Sequence, residues 1–176
     1  MEVGLQTRGE QMLALRRARE AAAPPILRGG FRPFFLGSAA WAVIALALWV
    51  LALSGRIAIP SAFDELAWHR HEMLFGFAGA AITGFQLTAI PNWTGRFPVA
   101  GPPLAALFSL WLAGRIAVLF SAATPLIAAV IDSGFFLVLA VVAVPEVIAA
   151  KGRSMATIIL MLLLATASLL DHWAAA

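Results

Sequence analysis

Apolar residues in this chain gather into five near-continuous blocks, each bounded by prolines, glycines or charged side chains. The blocks predict helices near residues 34–53, 61–90, 104–121, 126–144 and 155–171. Each approaches the ~20 apolar residues that cross a bilayer core. Backbone polar groups in lipid must be satisfied within their own segment, so spans of this length are helices. The period-two alternation of a membrane barrel is absent. The expected fold is all-α: a polytopic bundle of about five spans over residues 28–176, preceded by a basic tail over residues 1–27.

Local signals refine the boundaries. Gly30-Phe31-Arg32-Pro33-Phe34-Phe35 combines a basic anchor, aromatic rings and a helix-starting proline, as at a membrane interface. Pro60-Ser61 opens the second helix, with Ser61 the expected N-cap and Asp64 and Glu65 in its first turn. That helix is expected to end at Pro91, with Asn92-Trp93-Thr94-Gly95 as a loop. Pro102-Pro103 start the third span and Pro145 ends the fourth. Only Ala122, Ala123, Thr124 and Pro125 separate the third and fourth, which therefore form a tight antiparallel hairpin.

Composition narrows the class. Of the 176 residues, 62% are hydrophobic, too many for a water-facing surface. The net charge of +3 does not indicate nucleic acid, because the cations follow the predicted spans. Arg8, Arg16, Arg17, Arg19, Arg28, Arg32, Arg96, Lys151 and Arg153 fall on one side if the five helices alternate, against Arg56 and the interfacial Arg70 on the other. The positive-inside rule then expects a cytoplasmic N-terminus. Residues 1–23 lack the apolar core of a signal peptide; they read equally as a surface-lying segment or a disordered basic tail. Without cysteine or tyrosine, thiolate sites, disulfides and phenolic proton donors are excluded.

The chemistry concentrates at one predicted end. Arg115 lies six residues before Ser121 and Asp132 six after Leu126. At 1.5 Å per residue each sits roughly 9 Å below the hairpin turn, so the two are expected to pair. On that reading Asp132→Asn harms accumulation more than neutralising both residues. Trp68-His69-Arg70-His71-Glu72-Met73 is the densest run of functional groups. Residues two apart on a helix diverge by roughly 200°, so His69 and His71 cannot ligate one ion. His69 shares a face with Glu72, Met73 and the small residues Gly76, Ala80 and Gly84, a stripe that permits close approach of a helix or a flat cofactor. This makes His69 the better-buried expected ligand, with Met73 available as a thioether for cuprous ion. His172, beside Asp171, reaches the same leaflet from the fifth span. Metal or haem ligation by His69, His71 and His172 competes with plain hydrogen bonding, packing and helix-end roles. Asp171 or Glu72 is placed to orient a ligating imidazole through its other nitrogen.

Three runs carry a family resemblance: Gly30-Phe31-Arg32-Pro33-Phe34-Phe35-Leu36-Gly37, Trp68-His69-Arg70-His71-Glu72-Met73-Leu74-Phe75-Gly76-Phe77, and Gly84 to Gly95, reading Gly-Phe-Gln-Leu-Thr-Ala-Ile-Pro-Asn-Trp-Thr-Gly. With Trp111 to Arg115 and Asp171-His172, they make the chain resemble the NnrS family. The resemblance implies a bacterial inner-membrane protein tied to nitric oxide and nitrosative stress, containing haem and copper. It also implies His69, His71 and His172 as the ligand candidates, with no assignment of which ligand does what. The family has about twice as many spans, so a second half-chain or a second copy is an expected partner, along with the lipid bilayer. Two other classes compete: a transporter or channel subunit lined by Arg115, Asp132 and the histidines, and a non-catalytic assembly subunit. Against the transporter stands the lack of paired, broken helices in repeated arrangement.

Overall fold

In the computed structural model, residues 7–94, 97–149 and 155–175 are described; Arg96, Lys151 and Arg153 lie outside them. The described residues contain helices and no strand. Helix α1 spans Arg8–Ala22, and a 3-10 turn at Pro25–Leu27 leads into α2, Phe31–Leu53. Next, α3 (Glu65–His71) runs through a π-helical stretch, Glu72–Ala78, into α4 (Gly79–Thr94). The chain closes with α5 (Pro102–Leu119), α6 (Pro125–Ala149) and α7 (Met155–Ala175).

Five of these segments are long and apolar enough to cross a membrane: Phe31–Leu53, Glu65–Trp93, Pro102–Leu119, Pro125–Pro145 and Met155–Ala175. Their burial sorts them by position. Half of the second and fourth spans is buried inside the bundle, against 22% of α2, so the former pair forms the centre and α2 an outer wall. Apolar surface facing outward is what lipid solvates, and α2 leaves Val43, Ile44, Leu46 and Val50 on that surface. The inward face of each outer helix is a stripe at helical spacing. On α7 it runs Thr157, Met161, Ala165, Ser168 and His172; on α2 it runs Phe34, Ser38, Trp41 and Ala45.

Three expected boundaries are corrected. The cap of α3 is Asp64, whose carboxylate accepts the Ala67 N–H at 2.8 Å. Ser61 is occupied elsewhere: its hydroxyl donates to the Val118 carbonyl at 3.0 Å and lies 3.0 Å from Ser121 Oγ, tying the α2–α3 connection to the end of α5. Pro91 and Pro145 sit inside helices, which continue to Thr94 and Ala149. A proline removes only one N–H, a loss that a helix already nucleated by its preceding turns tolerates near its end. By contrast, α5 does start at Pro102, after Gly101 takes φ +66°, a left-handed conformation that disfavours side chains.

The small-residue stripe on α3–α4 is filled by protein. Gly84 abuts Phe34 and Phe35, and Gly76 abuts Trp41, so α2 packs where a flat cofactor was an alternative. The Phe120–Thr124 turn makes α5 and α6 an antiparallel hairpin, and α7 returns along α6. This alternation brings the start of α3, the end of α5, the start of α6 and the end of α7 to one end of the bundle.

Candidate metal centre

At that end, charged side chains form one buried network. Asp132 on α6 is its hub. Arg115 donates through Nη2 to Asp132 Oδ1, the pairing that equal depth on the hairpin favours. Gly114 of α5 faces Asp132 directly: a Cβ there would stand 3.4 Å from the Asp132 backbone, at van der Waals contact. Ser168 of α7 donates to Asp132 Oδ2 at 2.6 Å, and Ser133 Oγ lies 3.1 Å from Ser168 Oγ. Nε2 of His71 lies 3.0 Å from the same Oδ2, and Nε2 of His172 lies 3.4 Å from it.

The second guanidinium nitrogen of Arg115 serves Glu72: Nη1 donates to Oε2 at 2.8 Å, and Trp41 Nε1 donates to that oxygen at 2.6 Å. Arg115, Glu72 and Asp132 are each at most 1% exposed. Isolated charges are expensive there, so mutual pairing is the condition for their burial. The π-helical stretch begins at Glu72 and, by changing the angular step per residue, shifts the faces that α4 presents. Gly76 in its middle keeps the space free. A Cβ at Gly76 would lie 2.6 Å from Glu72 Oε2 and 2.8 Å from Arg115 Nη1. The carbonyl of Gly76 accepts from Trp111 Nε1 at 3.1 Å.

His71 bridges this interior to the bundle's end. Its Nδ1 lies 2.8 Å from Asp171 Oδ2, and Arg70 donates to Asp171 Oδ1 at 2.7 Å. The imidazole therefore stands between two carboxylates, one at each nitrogen. A neutral ring donates from only one nitrogen, leaving a lone pair directed at a carboxylate oxygen. The arrangement is completed by a second proton or by a cation at Nε2. The charge count agrees: Glu72, Asp132 and Asp171 face Arg70 and Arg115, one negative charge in excess.

One atom from each of His71, Asp132 and His172 lies within 4.8 Å of the others, a buried group able to hold a metal ion. His172 Nε2 is buried and has no hydrogen-bond partner among the described residues. The rings are fixed by packing. Phe63 contacts both imidazoles, at 4.8 Å from His71 and 5.1 Å from His172, and Phe75 stands 4.7 Å from His71.

The expected ranking of the histidines is reversed. His71 is fully buried in the network, whereas His69 is half-buried and stacks on Trp49 of α2 at 4.1 Å. The two rings go to different neighbours, as their angular separation requires, but the face carrying chemistry is the one with Phe75. Met73 is half-buried and packs against the apolar core. Of the expected residues, the structure brings together His71, Glu72, Arg115, Asp132, Asp171 and His172, and leaves His69 aside. Ser168 and Trp41 escaped the sequence reading. Ser168 precedes His172 by four residues, which places both on one helical face; Trp41 carried no comparable signal.

A family model described as NnrS protein matches residues 25–176. No curated protein and no solved structure matches the chain.

Proposed function

Since the chain belongs to the NnrS family, we propose that it is a metal-binding membrane protein of that family, holding copper or a similar borderline transition ion on His71 Nε2, Asp132 and His172 Nε2. The observation that carries this reading is the buried His172 Nε2, which has no hydrogen-bond partner among the described residues and lies 3.4 Å from the Asp132 carboxylate that also faces His71. Two imidazoles and a carboxylate suit borderline divalent ions; cuprous ion, which favours sulfur, is served less well by this donor set. Asp171 on the far nitrogen of His71 would fix its tautomer and raise its basicity. Three protein donors leave coordination positions open, as in sites that bind exogenous ligands. An open transition ion supplies binding or redox chemistry toward small molecules. The role in nitric oxide metabolism or protection from nitrosative stress, and the bacterial inner-membrane location, rest on the family resemblance.

Haem does not fit this triad. The His71 and His172 rings meet edge to face at 4.9 Å between centroids, with no slab between them for a macrocycle. The remaining imidazole, His69, is stacked on Trp49 at 4.1 Å.

Metal analysis and an optical spectrum of the purified protein test the reading. The expected result is about one copper or iron per chain, lost in His71→Ala and His172→Ala, without a Soret band. Folded protein that takes up no metal, or whose metal survives both substitutions, contradicts it.

A further inference from the structure

Two clefts of about 380 Å³ flank the last turn of α7, and they differ in character. One lies toward α3 and carries Arg70 and Asp171, whose ion pair joins the two helices across it. The other lies toward α6 and is lined by Pro125, Leu126, Ala129, Leu169, His172 and Trp173. Its lining contains no charge, and His172 is the residue it shares with the metal-binding group. His172 is 6% exposed and its Nε2 has no hydrogen-bond partner among the described residues, whereas the rim residues Leu126 and Trp173 are 74% and 79% exposed. An apolar cleft that ends at the His172 imidazole admits uncharged molecules and rejects ions, which would lose their hydration with nothing to replace it. Its rim belongs to the first turn of α6 and the last of α7, where an exposed tryptophan marks the lipid–water boundary.

We propose that the α6–α7 cleft is the lateral route by which small, uncharged, lipid-soluble ligands reach the His172 side of the metal centre from the membrane. The charged α3–α7 cleft is not the route. The proposal rests on the metal-binding reading for what the ligand meets, but the route itself is a property of the protein without metal. His71 offers no comparable approach, being sealed by Phe63 and Phe75 and flanked by two carboxylates.

The route is tested on metal-free protein in lipid nanodiscs with diethyl pyrocarbonate, a small uncharged reagent that acylates imidazole, with peptide mass spectrometry as the readout. Leu126 sits on the rim and tolerates both enlargement and truncation. Leu126→Trp is expected to slow acylation of His172 roughly fivefold and Leu126→Ala to speed it roughly twofold, with acylation of His69 constant as the internal standard. Arg70→Gln, which opens the charged cleft, is expected to leave the His172 rate unchanged. A His172 rate indifferent to both Leu126 variants, or raised by Arg70→Gln alone, overturns the route. Thermal unfolding of each variant checks folding, and if Leu126→Trp misfolds the Leu126→Ala arm decides. Failure of the metal reading appears separately, as wild-type protein that takes up no Cu²⁺.

Discussion

His69 and His71 occupy different faces of one helix and meet different surroundings. The first lies flat on Trp49 at the α2 wall, half-buried, with Nδ1 lacking a hydrogen-bond partner among the described residues. The second is fully buried and engaged at both nitrogens, at the junction of α3, α6 and α7. Two residues of helical phase separate a ring held by stacking from a ring held by carboxylates. Proximity in sequence is thus a poor guide to shared chemistry in a helical membrane protein. The partner helix that each face meets is what decides.

The largest effect should come from the network that His71 joins and His69 does not. Arg115 is shared by Glu72 and Asp132, so Arg115→Gln strands two buried carboxylates, whereas Asp132→Asn leaves Arg115 on Glu72. Breaking a buried pair costs about 3–5 kcal/mol. Membrane accumulation and thermal stability should therefore fall most for Arg115→Gln and less for Asp132→Asn. The sequence alone shows one partner for the arginine and makes double neutralisation the milder change; the second partner, Glu72, revises that expectation. The opposite order of the two single variants would show that Glu72 does not share the guanidinium.

A smaller effect sharpens the contrast at the imidazole itself. Asp171→Asn keeps the shape of the group behind His71 Nδ1 and removes its charge. Losing such a carboxylate lowers metal affinity by about 10–100-fold, so a Cu²⁺ titration should shift by that factor. An unchanged affinity would mean that His71 is oriented by packing alone. The smallest effect belongs to His69→Ala. It removes a stacked pair worth about 0.5–1.5 kcal/mol, readable as a modest drop in thermal stability, and should leave Cu²⁺ affinity unaltered.

Legibility in the sequence divides along the same line. The five spans are set by the length of the apolar runs, because lipid imposes helices on them. The Arg115–Asp132 contact comes from a four-residue turn and a fixed rise per residue, and the meeting of His172 with His71 comes from alternation. What failed depended on partners. Ser61 reads as a cap until the end of α5 claims its hydroxyl, and Pro91 and Pro145 read as stops although the helices, already nucleated, run on past them. The stripe Gly76, Ala80 and Gly84 signalled close approach correctly, but aromatic side chains of α2 fill it, and that turned the ranking of His69 and His71 around.

The central claim is that His71 and His172, and not His69, supply the nitrogens of one metal centre. Electron paramagnetic resonance of the Cu²⁺-loaded protein measures this directly, because each ligating nitrogen splits the copper signal. The account predicts a two-nitrogen pattern that falls to one nitrogen in His172→Ala and is untouched in His69→Ala. A pattern preserved in His172→Ala, or abolished in His69→Ala, would contradict it.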